Sequence, residues 1–258
     1  MSVENYTKRM YDRYGEAYQI SRDEKRPARA YNEFLEVPCM LSAVGRVKGK
    51  RLLDIGCGAG VHASAYIARG AKVYGIDISE SMINLARKRC PNIELIVGSV
   101  MKLPYSNASF DLVTASLSLD YVKDLGTAFR EVSRVLKKGG FFYFSNESPI
   151  NMAREDFEND DFKVCGTGYF IDKKTGFRVT IGDAWTECLN AWEMLPGMIM
   201  KTYKKTFRTH LLALQKNGLE LVDFIDCKPT SGFKKVNPSD YEIFKKFPIF
   251  SIYVCKKK

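Results

Sequence analysis

Apolar residues recur with two different periods along this 258-residue chain, and the change from one to the other marks its organisation. Tyr11, Tyr14 and Tyr18 lie three and four positions apart, which sets their rings on one face of a helix. Ser21 to Pro27 is a polar break. A second helical stretch then carries Tyr31, Phe34 and Leu35 as far as Pro38, where a new turn can start. Beyond the basic turn Lys48–Arg51, short apolar runs alternate with helical stretches. Strands are predicted over Arg51–Ile55, Lys72–Asp77, Ile93–Val97, Phe110–Thr114 and Phe141–Ser145. A helix over Val61–Ala68 ends at Gly70, and another opens at Ser79-Glu80 and continues through Met82, Leu85 and Ala86. A third covers Leu119–Leu136 and is closed by Lys137-Lys-Gly-Gly140. This alternation predicts right-handed crossovers and a parallel α/β sheet covered on both faces.

After the fifth strand the alternation stops. Ile171–Phe177 resembles a hairpin turn, and the same stretch concentrates Trp185, Trp192, Met194, Met198 and Met200. Alternation resumes with a helix over Phe207–Lys216 and a strand over Leu219–Ile225. A loop with Pro229, Gly232 and Pro238 follows, then a strand over Ile249–Val254. The chain therefore divides into an N-terminal helical cap (1–47), a core (48–146), an insertion (147–203) and a closing segment (204–258). An insertion that leaves the carboxyl edge of a parallel sheet is placed to roof whatever binds there. It is expected to act as a lid that selects the substrate, with Trp185, Trp192 and Tyr203 facing it and Tyr11 opposite.

Composition narrows the classes. No apolar run approaches the roughly 18–20 residues that span a bilayer, and the first residues lack the apolar core of a signal peptide. Seven cysteines without a single C-x-x-C pair, and only His62 and His210, argue against disulfide scaffolds and metal sites. Free thiols suit the cytoplasm, which is the expected location, and no metal is expected. The formal charge is +10, and from Lys201 onward 13 basic against 5 acidic residues contribute +8 of it. Such a region attracts nucleic acid or anionic substrates, or is simply a solvated lysine-rich surface.

The chemistry concentrates after the first strand. Gly56, Gly58 and Gly60 follow Arg51–Ile55 directly and precede a helix, a device that lets a ligand approach the backbone closely. Their spacing is G-x-G-x-G, not the G-x-G-x-x-G of dinucleotide folds, which disfavours an NAD-dependent oxidoreductase. Asp54 stands two positions before the first glycine, where a carboxylate suits a cationic ligand and not a pyrophosphate. S-adenosylmethionine has a sulfonium, an ammonium and no phosphate. Asp77 ends the second strand and is placed to accept both hydroxyls of a ribose, with Ser79 left to cap the next helix.

Leu52–Gly60, Val73–Ser79, Leu103-Pro104 with Ser109–Val113, and Arg134–Gly140 together resemble the class I S-adenosylmethionine-dependent methyltransferases, in the right order and over about residues 50–146. The resemblance implies a Rossmann-like, seven-stranded doubly wound α/β sheet whose seventh strand is antiparallel beside the fifth, with N-terminal helices and an α+β insertion after strand five. It implies that Gly56, Cys57 and Gly58, supported by Asp54, hold the methionine end of the cofactor. Asp77 would take the ribose, and Ile78, Met82 and Val100 the adenine. Ser116 and Leu117 would line the path to the acceptor, and Tyr18 would stand over the cofactor carboxylate or merely pack its helix. Ser99 occupies a position where the family usually has Asp, a weaker acceptor for the adenine amino group.

Methyl transfer is an in-line displacement that needs alignment and desolvation, and a base only where the acceptor must lose a proton. Asp120 and Tyr121 are the candidates for that role. His62 and His210 read as packing residues. Ala115–Asp120 stands where amino-methylating nucleic-acid enzymes carry Asn/Asp-Pro-Pro-Tyr/Phe, so the expected acceptor is a small molecule and no membrane is involved. A tRNA or rRNA methyltransferase, or a cofactor-binding regulator without catalysis, are the alternatives. The sequence leaves the acceptor's identity and the oligomeric state open.

Overall fold

The computed structural model describes residues 2–24, 30–148, 169–170, 178–179 and 187–258. Helix α1 (Val3–Asp23) is capped by the Ser2 hydroxyl, which accepts from the Asn5 amide. A π-helical turn over Asn32–Glu36 runs into α2 (Val37–Val44), whose first turn holds Pro38. The core follows as β1 (Arg51–Ile55), α3 (Val61–Ala68), β2 (Lys72–Asp77), α4 (Glu80–Arg89), β3 (Glu94–Val97) and β4 (Phe110–Ser116). A 3-10 turn over Leu119–Tyr121 leads to α5 (Leu125–Val135) and β5 (Leu136–Glu147). Short strands β6 (Tyr169–Phe170) and β7 (Arg178–Val179) pair antiparallel. A hairpin of β8 (Cys188–Leu195) and β9 (Met198–Lys204) precedes α6 (Phe207–Lys216), β10 (Leu219–Asp226), α7 (Ser231–Val236), α8 (Pro238–Phe244) and β11 (Phe250–Lys257).

The main sheet has the order β10-β11-β5-β4-β1-β2-β3. Strands β1 to β5 are parallel, while β11 lies between β5 and β10 and is antiparallel to both. The expected seven strands with an antiparallel seventh are therefore present. Alternation along β5 sends Phe142 and Phe144 to one face, in a core with Phe129 and Tyr253, and Tyr143 to the other, with Tyr66 and Phe233. On α5, Leu125, Ala128, Phe129, Val132 and Val135 make the buried stripe that covers the first face. Strand order reverses between β1 and β4, so the crevice beyond their carboxyl ends is where a ligand of such a sheet binds.

Several boundaries differ from the sequence reading. Lys137–Gly140 does not cap a helix. It continues β5, with Gly139 at φ 75° where the pairing with β4 shifts register, because ladder pairing outweighs a local helix-stop signal. The helix expected over Leu119–Leu136 is split, and Asp124 caps the second piece by accepting from the Thr127 amide at 3.0 Å. The predicted loop between β10 and β11 holds α7 and α8. Asn237 caps α8, and Pro238 stands in its first turn, where a missing N–H costs nothing. Trp185 and the proposed turn 171–177 lie outside the described residues.

Candidate functional site

The glycine loop is built against the start of the next strand pair. Gly56 has φ 63°, and a Cβ there would stand 2.4 Å from Cβ of Ser118, so no other residue fits. Gly58 has φ 52° and open space on its Cβ side, which leaves its backbone bare toward the crevice. The Gly56 and Cys57 amides donate to the Ile76 carbonyl at 2.8 and 3.1 Å. The Gly58 amide donates to Asp77 Oδ2, and the Ser79 amide to Asp77 Oδ1, both at 2.9 Å. Asp77 thus staples the loop to the β2–α4 turn with one carboxylate, and burial raises its pKa against those bonds. Ser79 caps α4 by accepting from the Met82 amide and donates its hydroxyl to Asp12 of α1 at 2.7 Å.

Asp54 is buried under the same loop. Its Oδ1 accepts from the Thr114 hydroxyl at 2.8 Å, while Oδ2 is buried with no hydrogen-bond partner among the described residues. Burial, opposed by His62 and Thr114, pushes its carboxyl up to about 6. An ionised carboxylate held this way is short of positive charge and of one donor.

These groups share one cavity at the carboxyl ends of β1, β2 and β4. Of the candidates read from the sequence, Tyr11, Tyr18, Asp54, Gly56, Cys57, Gly58, Asp77, Ile78, Met82, Val100, Ser116, Leu117 and Tyr121 line it. Leu117 stands at φ 46°, a region that costs a leucine energy, and is held there by its amide's bonds to the Ser145 carbonyl and hydroxyl. The Tyr11 and Tyr121 hydroxyls meet at 3.3 Å. Other candidates stand outside the lining. Ser99 is turned to Glu4 of α1, with its hydroxyl bonded to that carboxylate. Trp192 packs with Met194, Met198 and Met200 of the β8–β9 hairpin against Tyr18 and Met82, behind the cavity wall. The Tyr203 ring lies 4.8 Å from the Lys205 ammonium. Asp120 is not in the lining either, and its charged neighbours are Glu147 and Lys205.

Several polar residues at the cavity escaped the sequence reading. Glu4 and Arg22 reach it from α1, and the Arg22 guanidinium holds Glu33 at 2.6 Å. His62 lines it and pairs with Glu36, which stands outside the lining. Glu36 is fully buried; its Oε1 accepts from the Ser116 and Ser145 hydroxyls at 2.7 and 2.6 Å. His62 Nε2 lies 3.1 Å from Glu36 Oε2, an ion-pair distance without hydrogen-bond alignment. Burial alone would raise the Glu36 pKa, but His62 and the two serines outweigh it and hold it low. Burial alone would lower that of His62, but Glu36 and Asp54 outweigh it and hold it high. The one available signal was a glutamate inside the apolar run Phe34-Leu-Glu-Val37.

A methyltransferase domain model matches residues 53–144, the span from β1 to β5 that carries the glycine loop, Asp77 and the β4 edge. This segment is a class I methyltransferase domain. A crystal structure of an S-adenosylmethionine-dependent methyltransferase from Mesorhizobium loti superposes with TM-score 0.71 at 29% identity, covering 85% of this chain and 96% of that one. An uncharacterised Haemophilus influenzae protein is 36% identical over 138 residues, 49% of this chain and 54% of that protein. Demethylmenaquinone methyltransferase of Renibacterium salmoninarum is 38% identical over 101 residues, 39% of this chain and 43% of that enzyme. The chain thus spans about half the length of these curated relatives. The methyltransferase domain contributes the loop and Asp77; Tyr18, Arg22 and Glu36 come from outside it.

Proposed function

We propose that the protein binds S-adenosylmethionine in this cavity and transfers its methyl group to a small organic acceptor. The observation that carries the reading is the partnerless, buried Asp54 Oδ2 beneath a bare glycine loop, beside a second carboxylate at Asp77. Those two acceptors fit a ligand with an ammonium, a sulfonium and a ribose, and they repel a phosphate. When bound, the cofactor supplies an activated methyl group, so the protein need only align and desolvate the acceptor.

The chain's own residues divide that work. Asp54 and the Gly56–Gly58 backbone hold the amino-acid end, with Arg22 and Tyr18 of α1 across from them. Asp77 holds the ribose while it pins the loop. Ile78, Met82 and Val100 supply the apolar slot for the base. Glu4, bonded to Ser99, brings a carboxylate to a position where Ser99 alone offers only a hydroxyl. Ser116, Leu117 and Tyr121 form the edge that faces the acceptor, and the β8–β9 hairpin, packed on α1 over Tyr18 and Met82, serves as the base of the lid.

Small-molecule methylation is favoured because, among the described residues, no lysine lines the cavity. The relatives named as demethylmenaquinone methyltransferases act on a small acceptor by name. The deciding experiment is incubation with methyl-labelled cofactor and a metabolite extract, with bulk tRNA as a second arm. Label in a small molecule is expected. Label in RNA, with tRNA binding that survives physiological salt, would replace this reading, since a solvated lysine surface loses RNA as salt rises.

Binding is also expected to release protons. A cation placed against Asp54 lowers a carboxyl that stands at about 6, and lowers the raised pKa of His62 in the same direction. Calorimetry in buffers of different ionisation enthalpy should show release that is largest near pH 6 and small near pH 8. Proton uptake at pH 6 would remove the assignment of Asp54 to the cationic end.

A further inference from the structure

A second buried polar cluster stands next to the cavity and takes no part in holding the cofactor. Asp120 and Tyr121 are neighbours on the 3-10 turn after β4, and only Tyr121 enters the cavity wall. Asp120 is turned toward the end of β5, where the Glu147 amide approaches its Oδ2 at 3.5 Å. Lys205, just past β9, is 6% exposed, and its Nζ is buried without a hydrogen-bond partner among the described residues. Asn146 is fully buried and gives its Nδ2 to His210 at 2.9 Å, yet its Oδ1 has no partner either. His210 is itself held by the Thr206 carbonyl and packs its ring against those of Phe144 and Tyr253, so it is not free to turn and relieve Asn146.

One corner therefore holds an orphan donor, an orphan acceptor and a carboxylate. Buried polar groups are rarely left unpaired, and each costs free energy until something satisfies it. A hydroxyl suits such a corner: it accepts from the ammonium and gives its one proton to the carboxylate or to the amide oxygen. An ammonium beside that oxygen also favours its ionised form.

Resting on the methyl-transfer reading, we infer that Lys205, Asp120 and Asn146 form the acceptor subsite, and that it takes an acidic hydroxyl, phenolic or enolic. The acceptor's O–H bond breaks with its electron pair left on oxygen, and the proton passes to the Asp120 carboxylate. Lys205 donates to the resulting oxyanion. In the displacement that follows, that oxygen's pair forms the new bond to the methyl carbon, and the pair of the broken carbon–sulfur bond returns to sulfur. Asp120 gives its proton to solvent after release.

The charges around the cluster agree with this use. Burial, then Glu147, pushes the Asp120 carboxyl up to about 7 against the pull of Lys205, and Tyr253 of β11 also faces it. Burial pulls the Lys205 ammonium down to about 8, with Asp120 and Glu187 opposing. Burial, helped by Lys205 and opposed by Thr206, pulls His210 down to about 4 and keeps it neutral. A carboxyl near neutrality accepts a proton from a weak acid and returns it.

The test uses the full chain saturated with S-adenosylhomocysteine and 4-nitrophenol as the probe, since its anion absorbs visible light and it ionises near neutrality. Wild-type protein is expected to bind the probe and ionise it at lower pH than in water. Lys205→Met should weaken binding about tenfold, as loss of a charge-assisted bond does, and raise the ionisation midpoint. Lys205→Arg should restore it. Asp120→Asn should move the midpoint the opposite way, because a competing negative charge is gone. A merely structural role would not give shifts of opposite sign. If the probe does not bind, or all variants share one midpoint while S-adenosylhomocysteine still binds by calorimetry, the subsite is overturned and the methyl-transfer reading stands. If S-adenosylhomocysteine itself fails to bind wild-type protein, both fall.

Discussion

Asp77→Ala is expected to weaken S-adenosylmethionine binding by about 2–4 kcal/mol, the worth of two charge-assisted hydrogen bonds to a ribose. The same change orphans the Gly58 and Ser79 amides, which now donate to its two oxygens at 2.9 Å. Leaving buried donors unpaired costs about 1–3 kcal/mol each, so the melting temperature should fall as well. The two effects separate in calorimetry run well below the mutant's melting temperature. Unchanged affinity there, in a protein visibly destabilised, would leave Asp77 a loop staple only and move the ribose elsewhere.

The largest loss of stability is expected from Glu36→Ala, about 3–5 kcal/mol, because it strands a buried cation at His62 and two hydroxyls at Ser116 and Ser145. Glu36→Gln should lose less, since an amide oxygen can still accept from the serines. The pH dependence has a definite sign. The Glu36 pKa is lower folded than unfolded, so its contribution is present above about pH 4.3 and fades as pH falls through the lower folded value. That of His62 is higher folded, so its contribution is present below about pH 6.5 and fades as pH rises through the higher folded value. The gap between wild type and Glu36→Ala, read from urea midpoints, should therefore be widest between those limits and narrow on both sides. Parallel curves across pH 4 to 9 would show that the pair is not an ion pair in the folded protein.

What was legible in the sequence was what short-range rules govern. Alternating apolar runs gave β1 to β4 and α3, α4 and α6 close to their bounds, because each buries a face with the period of its own element. Gly56, Gly58 and Asp77 were legible because a tight turn and a strand end restrict which residues can serve. Glu36 and Arg22 were not: the one local sign, a glutamate inside an apolar run, does not tell what Glu36 meets. Its partners Ser116 and Ser145 stand 80 and 109 positions away. Lys137–Gly140 misled for a related reason: a good helix stop became strand once β4 offered it a ladder. Asn237-Pro238 is a helix-start signature that Pro229 and Gly232 on one side made look like loop.

The ties that draw the N-terminal segment onto the rest of the molecule also set when it can settle during synthesis. Tyr6 donates to the Ile199 carbonyl, Thr230 to that of Phe34, and Tyr31 to Asp240, at separations of 193, 196 and 209 residues. On a ribosome, α1 and the π-helical turn emerge well before these partners and must wait for them. Contacts so distant in sequence pay their loop-closure entropy late, which slows folding and leaves apolar faces such as Tyr11, Tyr14 and Tyr18 uncovered meanwhile. This wall of the cavity is thus made long before it can be placed, and the nascent chain is most exposed to aggregation, or to chaperone capture, until β9, α7 and α8 have appeared.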